Sequence, residues 1–293
     1  MRDNEASRTA QYMALFRALE SVQPDGQRLF ADAFAREFLG PGLRRVVDFA
    51  SVPLFGRTIP WIIDRRWPGA RTSGVARTRH IDEQLSRALN GGARQVVILG
   101  AGFDCRAYRI PGIERARVFE VDHPATQQAK RLCLERLLGA MPEHVELVGI
   151  DFNRESLDQR LTAAGLSHAR PTMWIWEGVT NYLTAEAVDG TMRTVRRMAD
   201  RSRLVFTYVH RDVLADSTTF PAGRALRATL AKAGEEWTFG FDPAELPAYL
   251  AERGFRLIED LGSVEYRQKW LPARPRLLRG YEFYRLAVAD SVA

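Results

Sequence analysis

From residue 95 onward the chain alternates short apolar runs with longer mixed stretches. The apolar runs stand at 95–99 (QVVIL), 117–121 (RVFEV), 145–149 (VELVG), 172–176 (TMWIW) and 203–209 (RLVFTYV). Short, nearly continuous apolar runs bounded by turn residues suit strands buried on both faces. Helices fit the intervals 124–139, 155–164 and 184–199, the first opening on Asp122-His123-Pro124, where proline suits a first helical turn. Strand–helix alternation of this kind predicts an α/β fold, a doubly wound and mostly parallel sheet with helices on both faces. After residue 209 the alternation breaks. A helix over 243–253 and strands over 255–260 and 281–288 then predict an antiparallel pair at the sheet edge, bringing the strands to seven.

The first ninety residues carry a different pattern. Ala10, Met13, Leu15, Phe16 and Leu19 recur at helical spacing. Further helices fit 31–39, 43–50 and 59–66, separated by proline and glycine, and a longer one runs to the Gly91-Gly92 stop. The organisation this predicts is a helical N-terminal cap over 1–92 and a sheet core over 93–293. An insertion near 211–242 would form a lid on the acceptor side.

Charge changes this picture little. The net charge is +6, but only three of the 42 basic residues are lysines (Lys130, Lys232, Lys269), and the arginines are scattered among acids. That reads as codon preference more than a built basic face. The stretch 267–285, RQKWLPARPRLLRGYEFYR, comes nearest to a polyanion-binding pattern and is read as solvated surface. No nucleic-acid partner is expected. Cys105 and Cys133 are too few for a disulfide framework or zinc cluster, and His80, His123, His144, His168 and His210 are dispersed, so no metal is expected. No run approaches a membrane span and the N-terminus lacks an apolar signal core, so the expectation is a cytoplasmic protein with no membrane partner. Dimerisation is left open.

The chemistry should stand at the carboxyl ends of the strands, where open α/β sheets bind ligands. After the first strand come Gly100 and Gly102, which let backbone approach a ligand closely. The third glycine of a dinucleotide turn is missing, and Asp104 follows instead. Asp122 ends the second strand, where a carboxylate can accept hydrogen bonds from both ribose hydroxyls. Asp151 and Phe152 follow the third strand and suit an adenine edge and ring. Glu177 follows the fourth, and His210 the fifth. So many acids would repel a pyrophosphate. They suit a nucleoside carrying positive charge, and S-adenosylmethionine carries a sulfonium and an ammonium. Its carboxylate then needs a basic partner, for which the helix ending at 91 offers Arg77 and Arg79.

The segments VVILGAGFDCRAYRI, FEVDHPATQQAKRL, GIDFNRESL and WEGVTNYLTAEAV resemble the leucine carboxyl methyltransferase family and its bacterial relatives. These are class I S-adenosylmethionine-dependent methyltransferases. The N-terminal RTRHID and the helical stretch before it resemble that family's cap. The resemblance implies a Rossmann-like core and gives each position a role. Arg79 would hold the methionine carboxylate in preference to Arg77, and Gly100 would lie against the methionine. Asp122 would bind the ribose, Asp151 and Phe152 would frame the adenine, and Glu177 would sit near the ammonium. Tyr182 would point toward the acceptor. Cys105 departs from the Ser or Thr of many relatives.

Methyl transfer from a sulfonium is an in-line displacement that needs alignment and exclusion of water. A carboxylate acceptor needs no base, whereas a hydroxyl would be helped by one, and His210 is then the candidate. Phe220, Trp237, Phe239 and Phe241 suit the lining of a pocket for a planar aromatic metabolite. The expected function is therefore O-methylation of a small aromatic acceptor. The alternatives are methylation of a protein C-terminus, a nicotinamide-dependent oxidoreductase, and a cofactor sensor without turnover.

Overall fold

The run QVVIL becomes strand β1 (Gln95–Leu99), with all five positions buried. The computed structural model describes residues 8–53, 55–56, 58–151, 155–198, 201–215, 219–232, 234–272 and 281–292. The other strands are β2 (Arg117–Asp122), β3 (Val145–Gly149), β4 (Thr172–Trp176), β5 (Ser202–Val209), β6 (Phe255–Gly262) and β7 (Tyr284–Ser291). They form one sheet in the order β3-β2-β1-β4-β5-β7-β6. The first five are parallel, and β7 runs antiparallel between β5 and β6. The chain winds outward from β1 to β3, then returns and winds the other way from β4. That reversal opens a crevice at the carboxyl ends of β1 and β4.

Alternate side chains of each central strand enter two separate cores. Val97, Leu99, Phe119, Trp174, Trp176 and Phe206 meet helices α7 (Leu157–Ala163), α8 (Ala185–Met198) and α10 (Leu246–Ala251) on one face. Val96, Ile98, Val118, Ile175 and Val205 meet α4 (Ala70–Asn90) and α11 (Ser263–Trp270) on the other. Both faces are covered, which is why the strands read as continuous apolar runs. The remaining helices of the core are α5 (Arg106–Arg109), α6 (Pro124–Leu138) and α9 (Pro221–Lys232).

The cap has its own core. Leu15, Ala18 and Leu19 of α1 (Arg8–Ser21) pack on Val47 and Ala50 of α2 (Pro41–Ser51) and on Ile63 of α3 (Thr58–Arg66). A two-pronged ion pair fixes α3 to α4: Arg71 Nε lies 3.0 Å from Asp64 Oδ1 and Nη2 2.6 Å from Oδ2, both side chains buried. Phe38 stacks on Phe103 at 4.9 Å, joining the cap to the turn after β1.

Three expectations need correction. The helix expected over 31–39 is only a 3₁₀ turn at Ala35–Phe38. Asp32 replaces a continuing helix by accepting from Phe34 N and Ala35 N, a local bond that competes with helix formation. Helices α9 and α11 were not read from the sequence. In α11, SVEYRQKW, polar residues occupy most positions and Arg267 is fully buried, so no apolar stripe marks it. Strand β7 begins at 284, not 281. Its start is set by the ladder, in which Val209 at the end of β5 pairs with Tyr284. Tyr281 instead sits in the turn before the strand, at φ 64°.

Candidate active site at the strand ends

The turn after β1 leaves the sheet with Gly100 at φ 64° and Gly102 at φ 43°. A Cβ on Gly100 would lie 2.3 Å from Val179 Cγ2, so no larger residue fits this conformation. Asp104 N donates to Ala101 O at 2.7 Å and closes the turn. Gly102 N donates to Asp122 Oδ2 at 2.6 Å, and His123 N donates to Oδ1 at 2.7 Å. The carboxylate ending β2 is thus aimed at the glycine turn. Capping of α6 falls to His123, whose Nδ1 accepts from Ala125 N at 3.3 Å.

Behind the turn lies a buried lattice of charges. Arg77, on α4, donates from Nε to Glu177 Oε1 at 2.7 Å. Arg106, at the start of α5, donates to Glu177 Oε2 at 2.8 Å and to Asp82 Oδ1 at 2.8 Å, and is also bonded to Asp104. Arg109 reaches Asp82 through both Nη atoms at 2.7 and 2.8 Å. Arg17, on α1, pairs with Asp32 at 2.9 Å and donates to Phe103 O. Lys130 lies 2.8 Å from Glu120 and donates to Asp104 O at 2.6 Å.

Each of these buried charges meets an opposite one, as burial demands. Burial by itself would raise the Glu177 carboxyl, but the Arg106 and Arg77 guanidiniums overcome it and hold the group below its ordinary range. Asp104 is likewise raised by burial, yet Arg106, Arg17 and Lys130 bring it down to about 2. Glu177 and Asp104 are therefore ionised at neutral pH. The site also holds surplus donors: Arg106 Nη2 and Arg109 Nε are buried without a hydrogen-bond partner among the described residues.

Residues 10–196 match the sequence model of a family described as leucine carboxyl methyltransferase. The chain belongs to that family. A protein of Mycobacterium sp. (strain KMS), assigned as an S-adenosyl-L-methionine-dependent methyltransferase, is 34% identical over 270 residues, covering 85% of this chain and 83% of the relative. One of Streptomyces coelicolor with the same assignment is 36% identical over 211 residues, 70% of each chain. A solved structure from Thermobifida fusca YX, assigned as a methyltransferase, superposes with a TM-score of 0.60 at 17% identity and covers 100% of this chain and 97% of that one. The reaction is S-adenosylmethionine-dependent methyl transfer.

The residues at the strand ends fit that methyltransferase cofactor. The Gly100 cradle admits only backbone, the acids suit a cationic nucleoside, and the surplus Arg106 donor suits the one anionic group of the cofactor.

The structure brings together Gly100, Gly102, Asp122 and Glu177 of the sequence expectation, with Arg77, its second choice for the carboxylate, bonded to Glu177. It does not bring Arg79. The Arg79 guanidinium lies 4.4 Å over the Trp270 ring, on the side of α4 that faces α11. The reason is helical geometry: two residues along a helix is about 200° around it, so Arg77 and Arg79 cannot share a face. Asp151 stands after β3, its N donating to Glu155 Oε2 at 2.9 Å, while Phe152 lies outside the described residues.

On the acceptor side, Tyr182 ends the 3₁₀ turn Thr180–Tyr182 and packs against the cluster of Val209, Trp237 and Phe283. Burial pushes its hydroxyl up. His210 caps the turn Arg211–Val213, its Nδ1 accepting from Asp212 N at 3.2 Å, and its ring lies 5.1 Å from that of Phe220. Phe220 and Trp237 join this cluster, but Phe239 and Phe241 do not. Those two pack with Phe206, Tyr208 and Tyr249 in the sheet core, where they anchor α10.

The stretch 267–285 is not a solvated basic surface over its described part. Arg267 and Phe283 are fully buried, and Arg285 is tied to Asp260 at 3.1 Å. Among the described residues, no group of three or more His, Cys, Asp or Glu is placed to hold a metal ion. Arg17, Asp32 and Asp82 were missed by sequence reasoning: Arg17 and Asp82 sit inside helices where polarity signals only solvent, and Asp32 sits in a loop where an acid reads as a turn residue. Arg106 carried one signal, its place directly after the glycine turn.

Proposed function

We propose that this methyltransferase acts on a carboxylate oxygen of a small aromatic metabolite. The observation that carries the reading is that neither His210 nor Tyr182, the two groups expected beside the acceptor, is disposed as a base. His210 Nδ1 is already committed to Asp212 N, and Tyr182 is held as a neutral phenol by burial. A carboxylate is ionised at neutral pH and needs neither. The family's own description points the same way. Tyr182, Phe220 and Tyr281, backed by the buried Trp237 and Phe283, offer apolar faces to a planar ring at the end of β5.

When bound, S-adenosylmethionine supplies an electrophilic methyl group on a sulfonium. In this reading Arg77, with the surplus donor of Arg106, takes the methionine carboxylate in place of Arg79. Glu177 takes the ammonium, and Gly100 and Gly102 give the backbone approach. Asp122 exchanges its bond from Gly102 for the ribose hydroxyls, and Asp151 and Phe152 serve the adenine. The cap over 1–92 and the segment 211–242 exclude water from the acceptor, with Tyr182 orienting it.

An acceptor screen with aromatic carboxylic acids and phenols tests this. The expected product releases methanol on mild alkali, as a methyl ester does. An alkali-stable product, or turnover only with peptide C-termini, overturns it.

A further inference from the structure

Helices α2 and α3 of the cap leave an unusual surface. Phe49, Val52, Phe55, Trp61, Ile62 and Trp67 are each 42–60% exposed, and all fall within one helix–turn–helix. Large apolar side chains crowded at a surface mark a contact site more often than an accident. On α3 the exposed positions Trp61, Ile62 and Arg65 recur at helical spacing, opposite the buried Ile63 and Asp64.

The charges on this surface have one sign. Arg45, Arg65 and Arg66 are exposed. Arg65 lies 5.7 Å over the Trp61 ring and Arg66 5.4 Å over the Trp67 ring. Residues 41–68 hold only two acids. Asp64 is buried against Arg71, and Asp48 is paired with Arg36 at 2.7 Å. We infer that α2 and α3 form a docking surface for an anionic lipid bilayer. The tryptophans would sit at headgroup level, the arginines on lipid phosphates, and Phe49, Phe55 and Ile62 in the acyl boundary.

Charge decides between this occupant and a second copy of the chain. A two-fold contact through the patch would set the three arginines against their own copies, with no free acid to meet them. The sequence expectation of no membrane partner rested on the lack of a span. Among the described residues no helix is long and apolar enough to cross a membrane, but a helix lying on the surface leaves no such signature.

Co-sedimentation of the full chain with phosphatidylcholine vesicles, with and without about one-third phosphatidylglycerol, tests the inference. The chain should pellet with the anionic vesicles only, and half-molar salt should weaken this. The double variant Trp61→Ser/Trp67→Ser should lose at least about tenfold in partitioning, and Arg65→Gln/Arg66→Gln should lose the preference for anionic lipid. Unchanged S-adenosylhomocysteine binding and circular dichroism would show both variants folded. Wild-type protein left in the supernatant with both vesicle types overturns the inference. So does partitioning that the variants do not alter, or a concentration-dependent dimer that the tryptophan variant abolishes without any vesicle binding.

Discussion

Arg77 and Glu177 stand a hundred positions apart in sequence and 2.7 Å apart in space. Their pairing ties the long cap helix to the end of the fourth strand. In the proposed reading the two groups separate their attention when the cofactor's zwitterionic end arrives, one taking its carboxylate and the other its ammonium. Arg77→Ala should then weaken S-adenosylhomocysteine binding by about ten- to a hundredfold, the scale of one charged hydrogen bond. Arg79→Ala should change it by less than about twofold, since Arg79 lies on Trp270. Calorimetric titration of both variants separates the two arginines, and equal losses would remove the assignment.

Gly100→Ala should be costly for two separable reasons. The new Cβ meets Val179 Cγ2 at 2.3 Å, and the φ of 64° is strained for any side chain. Overpacking and the left-handed backbone together cost about 2–4 kcal/mol. Adding Val179→Ala leaves the nearest remaining contact, Val179 Cβ, at 3.5 Å and should return the overpacking part. Thermal unfolding of the single and double variants reads the difference. A Gly100→Ala protein of unchanged melting temperature would contradict the geometry.

Much of this was legible beforehand, for a physical reason. Trp174, Ile98 and Val205 need burial on whichever face they point to, so a parallel sheet writes itself as continuous apolar runs. Gly100 and Asp122 were expected at the ends of those runs from position alone, and the strands do end there. Arg17 and Asp32 were invisible because an ion pair closed by tertiary folding leaves no local trace. Arg79 was preferred to Arg77 on the resemblance of RTRHID to the family's cap, and a short motif carries no helical phase relative to a pocket. Phe239 and Phe241 look like pocket lining in sequence, since aromatic residues serve cores and ligands alike.

The acid limb of stability should carry the mark of Asp104. Its carboxyl titrates at about 2 in the folded chain, against an ordinary value of 3.8. A depressed acid stabilises the fold above its unfolded value and loses that contribution as pH falls through the folded one. Asp104→Asn should thus cost roughly 2 kcal/mol at pH 7. The gap from wild type should narrow below pH 4 and close near pH 2. Urea unfolding at pH 7, 4 and 3 measures this, and a gap constant with pH would show that the loss is not electrostatic.

His210→Asn distinguishes a carboxylate acceptor from a hydroxyl. Asparagine can still accept from Asp212 N, so the turn at 211–213 should survive. With a carboxylate acceptor, kcat should fall by less than about fivefold, since a general base is usually worth 10²–10⁴-fold. A fall of about a hundredfold, with kcat/KM rising through the histidine range in wild type, would identify a base and a hydroxyl acceptor.

The charge lattice behind the glycine turn also sets rules for anyone recombining these proteins. A cut at residue 92 looks like a clean seam, yet it parts Arg106 and Arg109 from Asp82, and the Phe103 carbonyl from Arg17. A cap borrowed from a relative to change the acceptor would import its own partners for the two buried guanidiniums of Arg106 and Arg109. Chimeras should therefore travel with positions 17, 32, 77 and 82 as a set, and the strand-end half of the protein should not survive expression alone.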